Sequence, residues 1–362
     1  MKPKPPKYII EPISKEKCIK IALKRPEFEP DNGATAWYTE DIGIGTPSQY
    51  QCKFMIDTGT KNTWVSSTAC TTDACKPHQK FDSKLSSSFS NNVPASKIDF
   101  GAWGSMSVLF SSDYFHLTNQ AKLKVNFDVS IEYNGKQFEE LIPDGGVGIP
   151  AHYPTVNPSS TLLLPALKEN GDIQNSIVSF WYNRKKLQGE VLMGGIDFDK
   201  IDPDSLNIIS LIEFPSDQEC WLINLQSLDG IFPDGNTERI LSNVAFALDT
   251  GSSQFKGDAD FINHCKSVIT SNGKFPEKIQ SPQRIQDFAY PTLQLTINGV
   301  IYPLQPEQYF IQVSPTEWHL AFQFLADCEN EFLVGTTFLE TVHSTFDFDN
   351  KYIILANPKF DL

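Results

Sequence analysis

One short pattern occurs twice in this chain. Phe54-Met-Ile-Asp57-Thr-Gly-Thr60 in the first half returns as Phe246-Ala-Leu-Asp249-Thr-Gly-Ser252 in the second. Each copy is an apolar run that meets an aspartate and then a glycine, the signature of a strand ending in a tight turn. Downstream of each lies a second segment closed by glycine. Gly146-Val-Gly148 places Gly148 91 residues after Asp57, and Leu333-Val-Gly335 places Gly335 86 residues after Asp249. Near-equal spacing of two paired signals predicts two units built on one plan. A length of 362 residues is enough for both. The division is expected near residue 200, after Gly194-Gly195-Ile-Asp197 and ahead of the turn-rich Asp202-Pro-Asp-Ser205.

Between these signals the chain reads as short strands broken by turns. Leu123–Ile131 alternates apolar and polar residues, and Leu293–Ile297 does so before Asn298-Gly299. Helical patterns are few: 161–169 and 259–270 are the best candidates, the second opening on acidic residues. With 26 Phe and 40% hydrophobic residues, the chain can bury a sizeable core, and 24 Pro suit many turns. A mainly β fold is expected.

Several functions are disfavoured by composition. A net charge of −14 leaves nothing to neutralise a run of phosphates, so nucleic acid is not an expected partner. No apolar run approaches the ~20 residues of a membrane span. Six histidines without paired spacing suggest no metal centre. Seven cysteines cannot all pair, and the gap in Cys70-Thr-Thr-Asp-Ala-Cys75 suits a small disulfide loop.

The repeated Asp-Thr-Gly motif carries chemistry as well as shape. Gly59 and Gly251 let the backbone turn sharply and bring two carboxylates close together. Thr58, Thr60, Thr250 and Ser252 supply short hydroxyls able to bond the carboxylates or brace the opposite loop. Two adjacent carboxylates cannot both ionise cheaply, so Asp57 and Asp249 would share one proton. The ionised member can then act as general base on water while the protonated one polarises a carbonyl. Such a pair needs no metal or organic cofactor. Which aspartate holds the proton is left open by sequence.

In these residues the chain resembles the pepsin-like aspartic proteases, from about Ala36 to Pro358. Residues 37–49 look like the family's opening strand, Asp57–Val65 like its first catalytic segment, and 191–197 like the close of its first lobe. The resemblance implies a bilobal acid-protease fold: two pseudo-symmetric, barrel-like β lobes, a central cleft and a hairpin flap. On that plan 1–35 form an N-terminal extension or first strand, 36–200 the first lobe with Asp57 and the flap, and 201–362 the second with Asp249. Lys7–Asn32 is read as the first strand of a sheet between the lobes, in preference to the start of an inhibitory prosegment. Cys70 and Cys75 sit where the family has its small disulfide loop. Gly148 and Gly335 fall in the family's two glycine turns. Phe100, Gly101, Trp103, Gly104 and Ser105 fall in its flap, with Trp64 beneath.

Departures from the family pattern accompany these matches. Phe100 stands where a tyrosine would bond the Trp64 indole, and Trp103 looks inserted, so a more mobile flap is expected. Gly146 replaces an apolar residue, which implies a looser first glycine turn. Thr336 follows Gly335 where many acid-active members carry aspartate. Losing that carboxylate should ease ionisation of the pair and extend activity to mildly acidic pH. Cys265 and Cys328 either pair or are both buried thiols, and Cys18, Cys52 and Cys220 have no evident partners.

The resemblance implies an aspartic endopeptidase that prefers apolar or aromatic side chains, acts on polypeptides as a monomer and binds pepstatin-type inhibitors. The alternative is a weak or inactive peptide-binding homologue. An extracellular or lumenal acidic compartment is expected, any signal having been removed before Met1; a cytosolic chain would begin the same way.

Overall fold

The computed structural model describes residues 17–91, 95–99, 104–152, 160–212, 219–325 and 331–360. It has the bilobal pepsin-like fold, built mostly from curled β-sheets. The two halves share their central connectivity. In the first, Phe54–Asp57 runs parallel to Gly145–Gly148, with Asp57 opposite Gly148, and Gly145–Gly148 pairs antiparallel with Trp64–Ser66. In the second, Thr237–Leu248 runs parallel to Glu331–Val334, which pairs antiparallel with Phe255–Gly257. Each aspartate thus sits where a strand leaves its sheet, and the chain returns on the far side of the glycine strand. This is the duplication written into the sequence.

Aromatic residues three positions before each aspartate anchor the two cores. Phe54 lies 6.3 Å from Phe115, which meets Phe127 at 5.0 Å. Phe246 stacks on Phe332 at 5.7 Å, and Phe332 on Phe255 at 5.5 Å. All are fully buried, so each aspartate is carried by a strand whose preceding side chains are locked in apolar packing.

A six-stranded sheet draws strands from both halves. Its order is Ile19–Lys24, Gln188–Met193, Ile177–Asn183, His343–Asp347, Tyr352–Ala356 and Asn207–Ser210. Ile19–Lys24 of the N-terminal stretch is therefore a strand of this shared sheet, and Ile19, Ile21 and Leu23 face its core while Lys20, Ala22 and Lys24 face out. Just beyond it, buried Arg25 pairs with Glu29 at 2.9 Å and with Glu340 at 2.6 Å. Glu340 also accepts from Trp37 Nε1 at 2.7 Å, which ties the N-terminal stretch to the second half.

The expected strands form Ala121–Asn134 and Thr292–Ile297, and the helices Leu163–Glu169 and Ala259–Ile269. Asp258 caps the latter, accepting from Phe261 N–H at 2.8 Å. Asn298 and Gly299 both take positive φ, as a two-residue hairpin requires. Cys70 and Cys75 are disulfide-bonded. Cys265 is a buried thiol on the inner face of its helix, so the pairing considered for it is not formed; Cys328 lies outside the described residues.

Candidate active site

The Asp57 and Asp249 turns meet face to face, and their glycines explain how. A methyl group on Gly251 would stand 2.2 Å from Asp57 Cγ, and one on Gly59 would stand 2.5 Å from Asp249 Cγ. Each carboxylate therefore lies against the bare backbone of the opposite turn, where any side chain would collide. The two carboxyl groups are thereby brought close enough to feel each other's charge.

The threonines between them lock the turns together. Thr58 N–H donates to Thr250 Oγ1 at 3.0 Å, and Thr250 N–H to Thr58 Oγ1 at 3.0 Å. Each hydroxyl then donates across to a carbonyl of the opposite strand: Thr58 Oγ1 to Leu248 O at 3.0 Å, Thr250 Oγ1 to Ile56 O at 2.6 Å. Both threonines are buried. Residues 192 apart in sequence thus satisfy each other's backbone groups, and the aspartates on either side inherit a fixed separation.

Support for the carboxylates is less symmetric than the motif suggests. Gly59 N–H donates to Asp57 Oδ1 and Gly251 N–H to Asp249 Oδ1, both at 2.8 Å. Ser252 Oγ adds a bond to Asp249 Oδ2 at 2.6 Å. Thr60, its counterpart, instead turns its Oγ1 to accept from Asn62 N–H at 3.1 Å. Burial, then the Asp249 charge, hold the Asp57 carboxyl well above the ordinary aspartate range.

The glycine turns press these loops from behind. A Cβ at Gly148 would stand 2.6–2.8 Å from the Thr60 and Lys61 backbone, and one at Gly335 would stand 2.1 Å from Ser252 O. Thr336 N–H bonds that same carbonyl at 2.9 Å, so the residue in the aspartate's place is buried beside the Asp249 loop.

Gly146 corrects an expectation. Its strand is paired on both sides and is not loose. A Cβ there would stand 2.8 Å from Trp64 Nε1, so the absent side chain makes room for the indole. Trp64 is buried, edge-on to Tyr133 at 5.9 Å and Phe138 at 6.3 Å. Strands Ser96–Asp99 and Ser105–Leu117, which flank the expected flap, pair antiparallel, Asp99 opposite Ser105. Gly104 has positive φ and packs on Asn134 O, and Ser105 is buried. Phe100, Gly101 and Trp103 lie outside the described residues. One residue that sequence reasoning missed is Lys256, whose Nζ reaches Ser252 Oγ at 2.9 Å. Its surroundings in sequence, Ser253-Gln-Phe-Lys256-Gly-Asp258, are polar enough that a lysine there gave no signal.

Comparison with known proteins gives one consistent result. The chain matches the family model described as eukaryotic aspartyl protease over residues 37–358. It is similar to pregnancy-associated glycoprotein 2 of Bos taurus, 28% identical over 323 residues that cover 88% of this chain and 81% of the relative. Pepsin A of Sus scrofa is 29% identical over 324 residues, covering 88% and 80%. Gastricsin of Cavia porcellus is 26% identical over 338 residues, covering 91% and 82%.

Proposed function

Because the chain belongs to the eukaryotic aspartyl protease family, we propose that it is an endopeptidase in which Asp57 and Asp249 activate a water molecule against a peptide bond. The observation that carries this reading is the pair itself: two carboxyl groups, each seated on the other turn's glycine. A singly protonated pair supplies both halves of the chemistry. Its ionised oxygen removes a proton from water, and its acidic hydrogen bonds the scissile carbonyl as the oxygen gains charge. The tetrahedral intermediate collapses when the carboxyl that took the water proton returns it to the leaving amine. Thr58 and Thr250 keep the two groups from drifting apart during this exchange.

The substrate is an extended polypeptide with apolar or aromatic side chains beside the cleaved bond, bound by a monomer between lobes of about 36–200 and 201–362. Thr336 in place of an acidic residue supports activity reaching into mildly acidic pH. An extracellular or lumenal acidic compartment would suit that range.

Cleavage of aromatic-rich peptides across acidic pH, with and without pepstatin, tests the reading. Pepstatin-sensitive hydrolysis that falls at least about a thousandfold in Asp249→Asn and in Asp57→Asn is expected. Hydrolysis that persists in either variant would refute it. Pepstatin binding without turnover would assign the cleft to peptide capture alone.

A further inference from the structure

Lys256 follows Asp249 by seven residues, in the Phe255–Gly257 strand. Phe255 points into the core, stacked on Phe322 at 4.7 Å and on Phe332 at 5.5 Å. Alternation along the strand then turns Lys256 to the other face, toward the Asp249 loop. There the side chain is 2% exposed. Its Nζ donates to Ser252 Oγ at 2.9 Å, and Ser252 Oγ donates to Asp249 Oδ2 at 2.6 Å. Gly33 lies over its stem, where a Cβ would stand 3.1 Å from Lys256 Cε. That turn is fastened to the same loop: Ser253 N–H bonds Gly33 O at 3.0 Å, and Thr35 N–H bonds Gly251 O at 2.8 Å.

We propose that Lys256 is a positioning residue which, acting through Ser252, keeps the negative charge of the pair on Asp249 and leaves the shared proton on Asp57. The inference rests on reading the pair as the site of peptide hydrolysis. It assigns the base to Asp249 and the acid to Asp57. Asp249 accepts from Gly251 N–H and Ser252 Oγ, with an ammonium behind the serine. Asp57 has Gly59 N–H, while Thr60 is turned away to Asn62. Donors and a nearby cation favour the charged form of the carboxylate they face.

Among the described residues, other charged groups near the pair have partners of their own. From the shared sheet, Tyr182 is held neutral by burial and by the Glu340 and Asp249 charges. Glu340 is engaged by Arg25 at 2.6 Å and Arg184 at 3.5 Å. From the adjoining strand the uncharged Gln323 meets the Gly33 turn beside Lys256, and Asp31 before that turn is engaged by His319 at 2.7 Å and by Gln254 Nε2 at 2.8 Å. Lys256 is a cation whose field acts on Asp57 as well.

The test is the pH dependence of kcat/KM for the wild type, Lys256→Met, Lys256→Gln and Lys256→Arg. The acidic limb should move up by about one to three pH units in the Met and Gln variants, and the Arg variant should restore it. An unmoved limb overturns the proposal. A second reading needs no turnover: melting temperatures of the wild type, Lys256→Met, Asp249→Asn and the double variant at about pH 3 and about pH 6.5. Loss of Lys256 should lower the melting temperature more at the higher pH, and this excess should vanish in the Asp249→Asn background. Equal losses at both pH values would show that the lysine only packs. If the wild type neither cleaves peptides nor binds pepstatin, hydrolysis is refuted, while the melting cycle still decides the link between Lys256 and Asp249.

Discussion

The crossed threonines offer the most direct test of how the two halves are joined. Thr250→Val keeps the shape of a buried side chain and removes its hydroxyl. Two bonds go with it: the one from Thr58 N–H at 3.0 Å and the one to Ile56 O at 2.6 Å. Both stranded groups belong to the first half's backbone and are buried in the contact, where solvent cannot replace the lost partner. An unsatisfied buried donor costs about 1–3 kcal/mol, and a lost neutral bond to a carbonyl about 1 kcal/mol. The expected loss is therefore about 2–4 kcal/mol. At no more than about 2–4 °C per kcal/mol for a chain of this size, melting should fall by at most about 4–16 °C. Thr250 N–H keeps its bond to Thr58 Oγ1, so the contact is weakened and not abolished.

Guanidinium unfolding of the wild type, Thr250→Val and Thr250→Ser separates hydroxyl from methyl. Serine keeps the hydroxyl and should recover most of the loss. The mirror variant Thr58→Val should cost a similar amount, and the double variant less than both together, because each removes a partner of the other. If Thr250→Val unfolds within about 0.5 kcal/mol of the wild type, or if serine is as damaging as valine, the crossed bonds are not what holds the turns together.

Two further outcomes follow from the same geometry. Gly251→Ala puts a methyl 2.2 Å from Asp57 Cγ; displacing that carboxylate by about 1 Å should lower kcat about a hundredfold, read in a peptide-cleavage assay on folded protein. Asp57→Asn should flatten the pH dependence of stability. Because the folded Asp57 carboxyl titrates above its ordinary range, its contribution is fully present below the unfolded value near 3.9 and is lost as pH rises through the folded value. Melting curves of wild type and variant should therefore diverge in the variant's favour as pH rises.

The two turns were legible in the sequence because their demands are local. An aspartate, a glycine where another backbone approaches, and three apolar residues before them leave little choice of structure. The Asn298-Gly299 hairpin was readable for the same reason. Other features depend on partners far along the chain. Gly146 looks like a weakness until Trp64 is seen to occupy the space beside it. Arg25 and Glu340, 315 residues apart, give no sign in sequence that they will bury each other. The Ser105–Leu117 strand is too rich in serine for its alternation to stand out, yet its register with Ala121–Asn134 is nearly continuous. Thr60 and Ser252 occupy matching places in the motif and do different things, because the loops beyond them diverge: one leads into Asn62, the other lies beneath Lys256.

The same contacts that join the two halves also create the strain of the pair. Holding two carboxyl groups in one buried site costs about 1.4 kcal/mol of ionised-state stability for each unit by which a pKa is raised. The turns could relieve that cost by separating, but four buried bonds between Thr58, Thr250 and the opposing strands would break first. The shared sheet and the Arg25–Glu340 pair would resist the same movement. At about 1 kcal/mol for each neutral bond, more where a buried group is stranded, the crossed threonines set a cost of several kcal/mol against that separation. The pair therefore stays assembled across the pH range in which it changes charge. Its proton is exchanged within a fixed frame, and the frame's asymmetry, Ser252 on one side and none from Thr60 on the other, is what distinguishes two aspartates that the sequence makes look equivalent.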